Sequence, residues 1–284
     1  MDLGLAGRVY ILTGASRGLG YATAQALVAD GARVVLSARD EERLKAAASA
    51  LAGLGAGSAA LPGADASNAA AAGAAPSGGA PADAVPAATA VAADLGDPAT
   101  PERLVDAAIS TYGRLDGALV SVGGPPPGTA LQASDDQWLA AFQTIFLGAV
   151  RMARTVASRL EAGGAIGLVL STSVRMPIAG LGISNGLRPG LAGVVKDMAD
   201  ELGPRGIRVV GLLPHRIYTD RNRELFAATG DPEGAKAQAE ASIPLRRLGD
   251  PEEFGRVAAF LLSPAASYLT GISVPVDGGA LRML

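Results

Sequence analysis

Apolar residues gather in short runs separated by polar, glycine-rich or proline-rich stretches. Runs at 8–12, 33–37, 89–95, 116–122, 165–171, 207–213 and 272–276 are rich in Val, Ile, Leu and Ala and predict strands. Between them, 18–29, 40–51, 98–112, 135–160, 184–202 and 251–262 read as helices. Gly31 stops the first helix, and Asp97 is placed to cap the third. Strands alternating with helices predict an α/β fold: a three-layer, doubly wound, mainly parallel sheet of seven strands, Rossmann-type, in one domain over 1–284.

Two stretches break the alternation. Residues 53–88 are nearly all Ala, Gly, Pro and Ser, with Asp65 and Asp83 their only charges. Such composition cannot offset its own ordering entropy, so it reads as a flexible surface insertion. Residues 214–242 are polar with helical pieces and read as a lid over a substrate.

Composition narrows the chemistry. The 284 residues include no cysteine, which excludes disulfides, thiolate nucleophiles and thiolate metal ligands; no metal site is expected. A formal charge of −3 gives no electrostatic case for nucleic acid or an anionic membrane. No apolar run reaches the roughly 18 residues of a membrane span. The opening MDLGLAGRVY lacks the basic segment and apolar core of a signal peptide, so a cytoplasmic protein is expected.

The most informative stretch is Thr13-Gly14-Ala15-Ser16-Arg17-Gly18-Leu19-Gly20, between the first strand and first helix. A helix N-terminus offers unpaired N–H groups and the positive end of its dipole, and glycines let a pyrophosphate approach the backbone. Ala38-Arg39-Asp40 follows the second strand, where an adenosine ribose would lie. An acidic residue there would bind the 2′-hydroxyl of NAD. Arg39, with Arg17 as a second cation, suits the 2′-phosphate of NADP. NADP (as NADPH) is therefore expected ahead of NAD, although both arginines also fit solvated surface charges. The loop from Gly123 to Gly128 follows the fourth strand, at the edge where open α/β sheets bind ligands. Trp138, Phe142 and Phe146 read as core or subunit interface.

These residues resemble the short-chain dehydrogenase/reductase family over nearly the whole chain except 53–88. The TGASRGLG loop matches its TGxxxGxG fingerprint and Asp94-Leu95 its adenine-contacting Asp. Ile243 to Glu253 (IPLRRLGDPEE), Ser267 to Gly271 (SYLTG) and Val276 to Gly279 (VDGG) match its C-terminal motifs. The resemblance implies cofactor contacts from Gly14, Ser16, Arg17, Gly18, Leu19 and Gly20. It implies others from Arg39, Asp94, Leu95 and Gly123, and from Pro214, Ile217 and Thr219 beside the nicotinamide. It also implies a small-molecule substrate and a homo-oligomer, tetramer or dimer, formed through the helices at about 135–160 and 184–202.

The family works with Asn, Ser, Tyr and Lys, and here the pattern departs. Ser171 fits the Ser. Ser184 stands at the Tyr place, Arg188 at the Lys place and Ile145 at the Asn place. Arginine is a weak proton relay, but its fork still suits ribose hydroxyls. Pro189 disfavours helical geometry at Arg188 and predicts a kink there. Ser184-Asn185-Gly186-Leu187-Arg188, with the GGPPPG loop, resembles a divergent branch carrying SN-x-x-R. His215, the only histidine, is a candidate replacement acid because imidazole titrates near neutrality; a loop residue facing cofactor or solvent is the other reading. Tyr218 offers a phenol nearby. Ser184 or Asn185 would position a water, or simply cap a helix. Three functions stay open: an NADP(H)-dependent oxidoreductase acting on a carbonyl or alcohol, a nucleotide-binding sensor or scaffold without turnover, and a non-redox dehydratase or cyclase.

Overall fold

The computed structural model describes residues 2–57 and 85–283. Seven strands form its centre: β1 Val9–Thr13, β2 Arg33–Ala38, β3 Ala88–Ala92, β4 Gly117–Val120, β5 Ala165–Val169, β6 Arg208–Pro214 and β7 Ile272–Val276. All pair in parallel, in the order β3-β2-β1-β4-β5-β6-β7. The order reverses between β1 and β4, and at such a point the loops leaving the strands part to form a crevice. The helices are α1 Gly18–Ala29, α2 Glu41–Gly57, α3 Thr100–Tyr112, α4 Asp135–Ala141, α5 Gly148–Arg159, α6 Gly182–Leu202, α7 Asp220–Ala227, α8 Pro232–Ser242 and α9 Pro251–Leu262.

Neighbouring strand residues face opposite sides, so each strand feeds two cores. Ile11, Val35 and Ile166 pack with Leu104 of α3, Met152 of α5 and Leu191 of α6. Leu12, Leu36 and Leu212 pack with Leu27 of α1, Leu44 of α2 and Phe254 of α9. At the N-terminal edge of the sheet, buried Asp116 accepts the Val9 amide and pairs with Arg8 and Arg114. This leaves the C-terminal edge for the ligand-facing loops.

Helices α1 and α9 approach backbone to backbone. A Cβ at Gly255 would lie 2.4 Å from the Ala22 carbonyl oxygen. Gly255→Ala is expected to destabilise the fold by about 1–3 kcal/mol, the usual cost of overpacking. Gly193→Ala, where a Cβ meets nothing within 4 Å, is the control and should be neutral or stabilising by up to about 1 kcal/mol. Urea midpoints of the two variants check this, and equal shifts would refute it.

Several local expectations change. The stretch at 135–160 is not one α-helix: Phe142–Leu147 forms a π-helical segment between α4 and α5. It holds Ile145 in the core. Trp138 and Phe146 pack on α6, where a Cβ at Gly186 or Gly190 would come within 2.7 or 2.8 Å of their rings. Asp97 does not cap α3. Its carboxylate accepts the Ala99 amide two residues on, which moves the helix start to Thr100. Arg188 is helical although it precedes Pro189, because α6 runs through both to Leu202. Neither Ser184 nor Asn185 caps this helix, whose cap is Leu181. Helix α2 continues past Leu51 to Gly57, and residues 58–84 of the expected insertion lie outside the described residues. The expected lid contains α7 and α8 over a small core of Phe226, Ala239, Ile243 and Leu248. No helix among the described residues is long and apolar enough to cross a membrane.

Candidate active site

The crevice opens where β1 and β4 end. Thr13 Oγ1 donates to the Ser121 carbonyl at 2.7 Å and accepts the Ser121 amide at 2.9 Å, which ties the two strand ends together. The glycine loop turns immediately above this knot. A Cβ at Gly14, whose φ is +59°, would sit 2.8 Å from Ser121 O, and one at Gly20 would sit 2.7 Å from Gly14 O. Only glycine allows this turn to lie so close to β4 and to the start of α1. Arg17 precedes α1, and no side chain caps that helix, so its first amides are available to an anion.

Thr219 comes to the same place from β6. A Cβ at Gly18 would touch its methyl group at 3.6 Å. Pro214 ends β6 opposite Val276, and Ile217 is buried and bridges to Gly249. Arg39 is exposed at the end of β2, and no ion pair among the described residues involves it. Asp94 is exposed, with Oδ1 accepting the Gly96 amide at 2.8 Å. Leu95 packs on the core. Gly123 is exposed in the loop after β4. Ser16 and Leu19 lie in the glycine loop and first turn, both half-buried.

Arg188 lies beneath this edge and is only 5% exposed. Nη1 donates to the Val169 carbonyl and Nη2 to the Val122 carbonyl, so the guanidinium bridges the ends of β5 and β4. Its Nε is buried without a partner. None of the ion pairs among the described residues includes it. Burial pushes its pKa down to about 10. A buried cation with an unused donor favours an anion or a hydroxyl lone pair beside it.

The serines divide. Ser171 is half-buried at the end of β5 and accepts the Ser173 amide at 3.1 Å. Ser184 is only 6% exposed, and its hydroxyl lies 3.4 Å from that of Ser173. Asn185 is occupied on both sides by the Ile178 backbone, at 3.0 and 2.8 Å, which pins the 175–181 loop onto α6. That loop meets the proline loop through Gly128 and Leu181. Ser184 thus faces Ser173, and Asn185 uses one donor and one acceptor on the Ile178 backbone.

His215 and Thr172 form the pair that spacing did not reveal. Thr172 Oγ1 lies 2.9 Å from His215 Nδ1, which joins the imidazole to the residue after Ser171. Burial, reinforced by Arg216 and opposed by Asp277, lowers the His215 pKa below its ordinary value. Tyr218 turns away into the lid, where Arg223 and Lys236 lie over its ring at 5.3 and 5.2 Å. The sequence signal for Thr172 was only its place beside Ser171. Arg221, also unassigned by motif, donates to the Pro125 carbonyl at 2.6 Å and so joins the lid to the proline loop.

Known proteins match this architecture along almost its whole length. The short chain dehydrogenase profile matches residues 8–77, and the enoyl-(acyl carrier protein) reductase profile matches residues 79–280. The chain belongs to the short-chain dehydrogenase/reductase family. Dehydrogenase/reductase SDR family member 4 of Sus scrofa is 30% identical to this family member over 99% of its chain and 89% of the relative. L-sorbose reductase of Gluconobacter frateurii, solved with NADPH and L-sorbose, superposes with a TM-score of 0.84 at 28% identity, covering 100% of both chains. A short-chain oxidoreductase of Pseudomonas aeruginosa, described as containing an atypical catalytic center, gives 0.83 at 29% identity over 100% of both chains. The family is one of oxidoreductases, and the glycine cradle, Thr219 and the half-satisfied Arg188 fit a dinucleotide.

Proposed function

We propose that this protein is an NADP(H)-dependent oxidoreductase acting on a carbonyl or alcohol through a rewired proton path. The observation that carries the reading is the Thr172–His215 hydrogen bond, which joins a titratable ring to the strand end that bears Ser171. Gly14, Gly18 and Gly20 would make room for the pyrophosphate, the open N-terminus of α1 would attract it, and Arg39 would pair with the 2′-phosphate. Arg188, buried at the crevice with an unpartnered Nε, would hold ribose hydroxyls through its guanidinium. NADPH, when bound, supplies the hydride. Ser171 orients the substrate oxygen by hydrogen bonding, and His215 holds the proton that this oxygen takes up on reduction. Thr172 fixes the imidazole by occupying Nδ1, which leaves Nε2 for that work. The Pseudomonas protein with the atypical center supports a working branch of this kind by likeness.

A second reading, dinucleotide binding without turnover, is supported by one observation: Ser184 is only 6% exposed and its hydroxyl faces that of Ser173. One experiment separates the two. The protein is titrated with NADPH and NADH by fluorescence, and NADPH oxidation is followed with aldehydes, ketones and quinones. NADPH binding with turnover of at least one carbonyl is the expected result. Tight binding with no turnover across the panel would favour the second reading, and no binding of either coenzyme would defeat both.

A further inference from the structure

Four charged side chains meet where α7 crosses the glycine loop. Arg17 Nη1 lies 3.3 Å from Asp220 Oδ2 and 3.3 Å from Glu224 Oε1. Asp220 is shared, since Arg223 bonds its other oxygen. The two arginines and two carboxylates leave this corner with no net charge. Arg39, by contrast, joins no ion pair among the described residues. The two cations expected to serve one phosphate are therefore unequal. One is uncompensated, and the other is tied to acids more than 200 positions along the chain.

We propose that Asp220 and Glu224 are specificity-determining residues for the coenzyme: they hold Arg17 on the lid and so weaken the preference for a phosphorylated ribose. This rests on reading the glycine loop and Arg39 as an NADP site. A 2′-phosphate gains Arg17 only by drawing it from the two carboxylates. That cost falls on the added dianion and is absent for an unphosphorylated ribose. All three side chains are substantially exposed, at 45%, 39% and 62%. Exposed ion pairs of this kind are weak, so each carboxylate changes affinity by no more than about five-fold. The same exposure makes the effect sensitive to salt.

The test uses 2′,5′-ADP and 5′-AMP as probes, which differ only in the phosphate, with dissociation constants measured by calorimetry. Glu224→Gln is expected to tighten 2′,5′-ADP about three- to five-fold and leave 5′-AMP unchanged. Asp220→Asn should act in the same direction but less, because Arg223 shares that carboxylate. Both gains should shrink in 0.5 M salt and vanish when Arg17→Gln is added, and NADPH should follow 2′,5′-ADP while NADH follows 5′-AMP. Equal changes for both probes, no change for either, or a gain that survives Arg17→Gln would overturn the proposal. If neither probe binds even the unaltered protein, the dinucleotide reading falls and this inference with it. If 5′-AMP binds normally and only the carboxylate effect is missing, this inference alone falls.

Discussion

Arg188→Met is expected to lower kcat/KM for carbonyl reduction by 100-fold or more while leaving thermal stability nearly unchanged. The two effects separate because the guanidinium is costly to bury. Its pKa falls to about 10 from an ordinary 12.5 through burial, a penalty of about 3 kcal/mol at 1.36 kcal/mol per unit. Methionine removes that penalty and fills a similar volume. Against this, the Val169 and Val122 carbonyls lose their donor. An unmet buried carbonyl costs about 1–3 kcal/mol. Two such carbonyls at mid-range cost about 4 kcal/mol against about 3 kcal/mol relieved, and the difference of about 1 kcal/mol moves Tm by about 2–4 °C. Turnover has no such compensation, since the ribose would lose the donor that positions the coenzyme, and a misplacement of about 1 Å costs about 10²-fold in rate. Arg188→Lys keeps the charge but cannot bridge both carbonyls as a fork does. It should restore part of the turnover that methionine loses. Thermal unfolding with steady-state kinetics on the two variants checks this. A Tm fall above about 10 °C, with activity lost in parallel, would make Arg188 a structural staple only.

That mixed role shows what the chain does and does not disclose. Local rules located the sheet: seven apolar runs became seven strands, and the glycine spacing at 14, 18 and 20 matched the one turn that sits against Ser121. The motif positions were legible because their physics is local to a strand end and a helix start. Pairings across the fold were not. Thr172 and His215 are 43 positions apart, and Arg17 and Glu224 are 207 apart. No periodicity links such residues, and only the β5–β6 and β1–α7 arrangement brings them together. The same limit explains the serines. Counting thirteen from Ser171 gives Ser184 the Tyr place, but a short hydroxyl on the first turn of α6 reaches only Ser173. The π-helical segment at Phe142–Leu147 carries the apolar pattern of an ordinary helix, so its one-residue expansion leaves no compositional trace.

His215→Asn is expected to reduce kcat/KM in the reductive direction by about 10²–10³, within the range that general acids contribute. It should also flatten the pH profile. The sign follows from the environment of the ring. Burial, with Arg216 beside it and only Asp277 opposing, lowers the His215 pKa below 6.5, so the ring is mostly neutral at pH 7. Carbonyl reduction needs the protonated ring, and kcat/KM should therefore be highest at low pH and fall as pH rises through a midpoint below 6.5. Alcohol oxidation needs the neutral ring, and its rate should rise with pH through the same midpoint. Stability gives an independent reading of the same shift. As pH falls through 6.5 the unfolded chain takes up a proton that the folded chain resists, so the protein should lose stability there, and the asparagine variant should lose less. Thr172→Val frees Nδ1 and loosens the ring without removing it. That variant should keep a titrating profile with its midpoint moved and a smaller loss of rate. Paired profiles in both directions, with urea midpoints at pH 5.5 and 7.5, test the assignment. An asparagine variant with unchanged rate and an unchanged midpoint would remove His215 from the proton path. Activity would then rest on solvent reaching the oxygen held by Ser171.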